Sequence, residues 1–142
     1  MLDLPAVEPV LRERHPELAF AAGDLDRPHF GRPPAERWDV VLLANILHDH
    51  PAGRCQAILA TAAGLLAPGG TLLVYEWALD DDGAGPPAVA LFDLMMPVEN
   101  EGGAAWPAAQ LTAWLETAGL TEIRLRRGAG PIAVLRATAP WP

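Results

Sequence analysis

Trp38-Asp-Val-Val-Leu-Leu-Ala-Asn-Ile-Leu-His-Asp-His50 is an apolar strand that empties directly into a His-Asp pair. The continuous apolar run within residues 38–43 suggests a strand buried on both faces, as in a parallel sheet flanked by helices. Open α/β sheets bind ligands just beyond the carboxyl ends of their strands, so His48 stands where it would meet a substrate proton. The chain reads as an enzyme.

On either side of this stretch, fifteen prolines and thirteen glycines fall between periodic segments and punctuate them. Upstream, Ala6, Val7, Val10 and Leu11 have the spacing of a short amphipathic helix over residues 5–15, with Pro5 in its first turn. Residues 18–22 read as a strand and residues 23–37 as a polar loop containing Gly23, Pro28, Gly31, Pro33 and Pro34. Downstream, Ile58, Leu59, Ala62, Ala63, Leu65 and Leu66 support a helix over residues 51–66, which Pro68-Gly69-Gly70 stops. A strand at 71–77 follows, then a solvated loop at 79–87 carrying Asp80, Asp81 and Asp82. Helical segments are expected at 88–97 and 107–118, with Gly119 capping the second. Residues 121–127 and 131–137, joined by a Gly-Ala-Gly turn, close the chain on a hairpin. Strand and helix alternate first and an antiparallel pair finishes, which is an α/β pattern without internal repeats.

The length of 142 residues suits one domain, and 51% hydrophobic composition is enough for a core. Ten basic against eighteen acidic residues give a formal charge of -8, which repels nucleic acid and anionic lipid surfaces. No apolar run approaches the roughly 20 residues that span a bilayer, and the N-terminus lacks the layout of a secretion signal, so a cytoplasmic location is expected. The lone Cys55 forms no internal disulfide and has no basic neighbour to make a thiolate, so a packing role is expected.

Four polar sites stand past the ends of successive strands: Asp3, Asp24, His48-Asp49 and Glu76. In a doubly wound sheet such ends line one crevice. A carboxylate at a strand end suits two ribose hydroxyls, which fits Asp3, while Asp24 would meet an adenine amino group. His48 titrates near neutral pH and can take a proton from an attacking hydroxyl, with Glu76 orienting the imidazolium. Each has a structural alternative, since a histidine after a strand can be a hydrogen-bonded scaffold residue and a strand-end carboxylate can cap a helix. His48-Asp-His50 has H-x-H spacing, but further ligands at recognisable spacing are lacking and the aspartate run lacks a calcium loop's pattern, so no metal is assigned. His15 and His29 are expected in solvent. Met95 and Met96, beside Phe92, are placed either in a pocket or in the core.

Asp3-Leu-Pro-Ala-Val7, Gly23-Asp24-Leu25, Ile46-Leu-His-Asp49, Leu72-Leu-Val-Tyr-Glu76 and Ala113-Trp-Leu-Glu-Thr-Ala-Gly-Leu120 occur in one order and at one set of spacings. In that order the chain resembles the C-terminal catalytic region of S-adenosylmethionine-dependent O-methyltransferases, the group acting on plant phenolics and bacterial polyketides. The resemblance covers nearly all of residues 1–142. It implies an α/β fold with a partial Rossmann-like methyltransferase sheet and a C-terminal antiparallel hairpin. It further implies that Asp3 binds the ribose of S-adenosylmethionine, Asp24 its adenine, and Leu25 packs on the ring. His48 would be the general base, Asp49 would help place a small aromatic or polyketide-like hydroxyl acceptor, and Glu76 would hold His48.

The departures from the family pattern are specific. The first strand with its Gly-x-Gly loop and a helical dimerisation domain precede the matching region in relatives, and this sequence has neither, so a truncated chain is expected. Ala104-Ala105-Trp106-Pro107 stands where relatives carry a glutamate followed by Arg-Thr, and His50 replaces a tryptophan. In the family sheet the first strand lies between the strand ending at Asp3 and the one holding Val40, so a long apolar edge is expected to be exposed. Association with a second copy or a partner chain follows. Two rival functions are a non-catalytic interaction subunit whose partner supplies the cofactor half, and a metal-dependent hydrolase on His48 and His50.

Overall fold

The computed structural model describes residues 1–33, 35–128 and 130–141. Pro34 of the expected polar loop and Ala129 of the expected hairpin turn lie outside the described residues. The chain divides into two compact units, residues 1–36 and 37–142.

In the first unit, β1 (Leu2–Asp3) pairs in parallel with β2 (Ala21–Ala22), with Asp3 opposite Ala22. Between them a short 3-10 turn at Pro5–Val7 leads into α1 (Glu8–Arg14), which buries Leu11. Proline in the first turn fits because the amide it lacks has no partner there in any helix. The strand expected over residues 18–22 is thus reduced to two residues, although Ala19 still receives a hydrogen bond from the Met1 amino group. The loop beyond folds into a tight turn, Pro28–Gly31, in which His29 and Phe30 adopt positive φ and Phe30 is buried.

The second unit is a four-stranded mixed sheet of order β3-β4-β6-β5, built from β3 (Trp38–Ala44), β4 (Leu66–Trp77), β5 (Thr121–Arg127) and β6 (Ile132–Thr138). β3 and β4 are parallel, joined by α2 (Ala52–Gly64), whereas β4–β6 and β5–β6 are antiparallel. The helices α3 (Pro87–Glu99) and α4 (Ala108–Thr117) fall between β4 and β5. Gly119, with φ +83°, ends the α4 segment, as expected of a residue free to enter the left-handed region.

Pro68-Gly69-Gly70 does not separate helix from strand. α2 ends at Gly64, and the proline-glycine stretch is a bulge inside β4: Trp38 pairs with Leu66 and Val40 with Thr71, so residues 67–70 oppose Asp39 alone. Gly70 is required there, because a Cβ would lie 2.8 Å from the Ala67 carbonyl oxygen and 3.0 Å from that of Trp38.

The sheet is covered on one face. Leu72, Val74, Leu135, Ala133 and Ala137 are buried together with Ile58, Leu59 and Ala62 of α2 and Leu111, Trp114 and Leu115 of α4. Leu43 belongs to the same buried set. The opposite face departs from the expectation that β3 is buried on both sides: Val40 is 55% and Leu42 58% exposed. An apolar run reports a strand's potential for burial and is silent on whether both faces are covered. β3 also ends the sheet, as the exposed-edge expectation requires, with no strand on its outer side among the described residues. No helix among the described residues is long and apolar enough to cross a membrane.

Candidate active site

Because β3 and β4 run parallel, their carboxyl ends lie side by side, with Ala44 opposite Tyr75. Asn45 then takes a left-handed conformation, φ 54°, and donates its N–H to the Tyr75 carbonyl at 2.9 Å. Asparagine tolerates that region better than a branched residue. The chain turns off the sheet and forms a single 3-10 turn, Leu47–Asp49, which buries Leu47 and His48.

Glu76 organises this turn. It shares the inward face of β4 with Leu72 and Val74, and at 1% exposure it is a fully buried carboxylate. Its Oε2 accepts N–H groups from Ile46 at 3.1 Å and Leu47 at 2.9 Å, and its Oε1 accepts the Trp77 N–H at 2.9 Å. Oε1 also lies 2.5 Å from His48 Nδ1. Four donors around one carboxylate satisfy its ionised form, which is what permits its burial. The same set fixes the imidazole tautomer. With Nδ1–H donating to Glu76, the lone pair resides on Nε2.

Nε2 lies 3.5 Å from Asp49 Oδ1, and Asn100 Nδ2 donates to that same oxygen at 2.7 Å. Burial pulls the His48 pKa down, but the Glu76 hydrogen bond and the charges of Glu76 and Asp49 outweigh it, so the ring is held above the ordinary 6.5. Phe92 of α3 sets its edge against the His48 ring with centroids 5.0 Å apart and stacks on Trp77 at 4.6 Å. The backbone of the turn is equally occupied. The Leu47 carbonyl accepts from Cys55 Sγ at 3.1 Å and from Trp106 Nε1 at 3.1 Å, and the His48 carbonyl accepts the Ala104 N–H at 2.9 Å. Ala104 thus contributes an amide that anchors the turn.

The structure brings His48, Asp49 and Glu76 together, Phe92 joins them from the expected pocket set, and Trp106 joins them through the Leu47 carbonyl. Met96 is buried, whereas Met95 is exposed. Cys55 is wholly buried as a packing residue, and burial pushes its thiol up to about 11. The aspartates of residues 80–82 are tied to structure rather than merely solvated: Asp80 pairs with Arg127 at 3.2 Å, and Asp81 accepts the Ala109 N–H at 2.9 Å. Asn100 went unnoticed in the sequence. A single asparagine after a helix carries no local signal, and only the fold places it on Asp49.

Asp3, Asp24 and Leu25 belong to the first unit. Asp3 and Asp24 follow the same ends of two parallel strands, since the Gly23 N–H donates to the Asp3 carbonyl at 2.9 Å. Asp3 Oδ1 accepts the Leu4 N–H at 2.8 Å and Asp24 Oδ1 the Asp26 N–H at 2.8 Å, which leaves each Oδ2 as an acceptor. Leu25 is half-buried. A hollow of about 160 Å³ lined by Leu4, Pro5, Ala22, Gly23, Asp24, Arg27 and Gly31 adjoins them. Glycine is required at position 23, since a Cβ there would stand 2.7 Å from the Phe30 carbonyl oxygen. Among the described residues no group of three or more His, Cys, Asp or Glu is arranged to hold a metal ion.

The parallel pair β3–β4 of a mixed α/β sheet thus presents a hydrogen-bonded histidine at its carboxyl end, and comparison with known proteins gives the family. The O-methyltransferase domain profile matches residues 1–121, and the chain belongs to that family. The chain is 33% identical over 135 residues to the tetracenomycin polyketide synthesis 8-O-methyl transferase TcmO of Streptomyces glaucescens, covering 91% of this chain and 38% of that protein. It is 37% identical over 134 residues to the 3-hydroxy-5-methyl-1-naphthoate 3-O-methyltransferase of Streptomyces sahachiroi, covering 92% and 38%. Human N-acetylserotonin methyltransferase, solved in complex with S-adenosylmethionine, superposes with a TM-score of 0.84 at 27% identity over 98% of this chain and 39% of that one. An O-methyltransferase family 2 protein from Planctomyces limnophilus, solved with apigenin, gives 0.83 at 28% identity over 96% and 42%. The chain spans about two fifths of the length of these relatives.

Proposed function

We propose that this chain carries the proton-accepting site, and part of the cofactor face, of an S-adenosylmethionine-dependent O-methyltransferase. The acceptor is a hydroxyl of a small aromatic or polyketide-like molecule. The observation that carries this reading is His48 pinned at Nδ1 by the buried Glu76, with Nε2 left as the basic atom. The carboxylates of Asp3 and Asp24 suit ribose hydroxyls and an adenine amino group, with Leu25 packing on the ring. S-adenosylmethionine, when bound, supplies an electrophilic methyl on a sulfonium.

The residues of this chain prepare the nucleophile. His48 Nε2 takes the acceptor's hydroxyl proton, and the resulting imidazolium is balanced by Glu76 behind it and Asp49 beside it. A phenol has a pKa near 10, so each unit by which the imidazole is raised removes about 1.4 kcal/mol from the uphill proton transfer. Phe92 and Trp77 exclude water from the inner side of the ring, which keeps these charge interactions strong. Asp49, fixed by Asn100, is the polar group that helps place the acceptor.

The test is His48→Ala in the full-length protein, with a hydroxynaphthoate or related polyketide phenol as acceptor. Methyl transfer is expected to fall by roughly 10²–10⁴-fold while S-adenosylmethionine binding by calorimetry is unchanged. Full activity in the variant removes His48 from the base role. The exposed outer edge of β3 favours a second reading, in which the chain is an interaction subunit and its partner completes the cofactor site. Tight S-adenosylmethionine binding by the lone chain would eliminate that reading.

A further inference from the structure

Asn100 is held in place more firmly than a residue following a helix requires. It succeeds the last turn of α3, with its N–H donated to the Met96 carbonyl at 2.8 Å. Its own carbonyl accepts the Gly103 N–H at 3.0 Å, and the next amide, that of Ala104, is donated to the His48 carbonyl at 2.9 Å. Glycine at position 103 lets this corner lie against the His48 turn, since a Cβ there would stand 2.7 Å from the His48 carbonyl oxygen. Corner and turn are therefore one packed piece, and the Asn100 side-chain amide has a set position relative to the imidazole.

That amide controls one oxygen. Asp49 Oδ1 accepts from Asn100 Nδ2 at 2.7 Å, and among the described residues this is the only hydrogen bond to the Asp49 carboxylate. The same oxygen stands 3.5 Å from His48 Nε2, about 0.7 Å longer than a charge-assisted N–H···O bond. While the ring is neutral, Nε2 turns a lone pair toward the carboxylate and nothing draws the two together. Once the ring is protonated the attraction is direct, and a carboxylate free to swing would close on Nε2 and cap the atom that the acceptor hydroxyl needs. The other titratable groups on the elements packed here are committed elsewhere. Glu76 of β4 serves Nδ1 and three backbone amides, Asp93 of α3 accepts the Ala105 N–H at 2.7 Å, and the Cys55 thiol of α2 donates to the Leu47 and His50 carbonyls.

We propose that Asn100 is a positioning residue that holds the Asp49 carboxylate off His48 Nε2, near enough to balance an imidazolium and too far to cap it, so that the base stays open to the acceptor. The proposal rests on His48 as the proton acceptor. Asn100 acts through Asp49, and its role requires no contact with the substrate. Without its amide the charged ring closes on its own neighbour. That closure favours the protonated form, whereas only the unprotonated ring takes a proton from the acceptor.

The test is Asn100→Leu in the full-length protein, a side chain close in size and without the amide, with Asn100→Ala as a second variant and circular dichroism to verify folding. An NMR titration of the His48 ring is expected to show a higher midpoint than wild type. With a hydroxynaphthoate acceptor, kcat/KM should fall about tenfold near neutral pH and recover as pH passes above the new midpoint. On an Asp49→Asn background the same substitution should cost less than about twofold, because the charge it restrained is gone. A midpoint that falls or stays put overturns the proposal, as does a loss of equal size at every pH, the mark of a purely structural role. So does an equal loss on both backgrounds, the mark of an asparagine that binds the acceptor directly. Failure of the base reading is seen separately, as full activity in His48→Ala, and the titration still reports whether Asn100 restrains Asp49.

Discussion

Burial on its own would make His48 a weaker base, since a desolvated imidazole resists protonation. The Glu76 hydrogen bond, with the charges of Glu76 and Asp49, reverses that balance. An NMR pH titration of the ring is expected to give a midpoint above 6.5, with the proton on Nδ1 in the neutral form, and Glu76→Gln should lower that midpoint. An unmoved midpoint would show that Glu76 does not set the basicity. The sign for stability follows from the same shift. The folded-state pKa is raised, so the contribution of the charged ring is complete below about 6.5 and is lost as pH rises through the folded value. The thermal advantage of wild type over Glu76→Gln is accordingly larger at low pH. Cys55 titrates in the other sense, its thiol pushed up to about 11 by burial. Iodoacetamide at about pH 8 should leave it unmodified in the native protein and alkylate it readily in denaturant; fast native labelling would mean that α2 opens.

At the scale of elements, the site is a meeting of one strand end, one tight turn and one helix. Phe92 is where α3 enters it. Phe92→Ala removes a ring that contacts both His48 and Trp77 and is expected to lower stability by about 1–3 kcal/mol in a denaturant titration. It also admits water to the imidazole, so the His48 midpoint should rise further, and a fall would show that Phe92 does not desolvate the ring. His48 and Glu76 were legible in the sequence because strand ends in an α/β fold are recognisable, and residues at adjacent parallel ends must meet. The bulge at residues 67–70 was not, since Pro-Gly-Gly is the composition of a helix stop as well as of a strand deformation. The open face of β3 was illegible for a different reason. A side chain's burial depends on what packs over it, and a strand's own residues do not contain that information.

For the molecule as a whole, family membership and fold agree, and the expected α/β sheet with its C-terminal hairpin is present. The exposed edge expected beside β3 is also present among the described residues. Charge is divided along the chain rather than mixed: nine carboxylates and no lysine or arginine lie within residues 55–123, while four of the ten arginines lie beyond. Arg127 uses its position in that basic hairpin to hold the carbonyls of Ala78 and Leu79, each at 2.7 Å, just past the end of β4. Glu76 lies two residues before that clasp and is itself the knot between β3, the His48 turn and β4. Any change to this carboxylate that retunes the base also unties the turn that presents it. Asp49, whose side chain is 44% exposed and is held by Asn100 rather than by β4, is by contrast a position where sequence variation adjusts basicity without untying that knot.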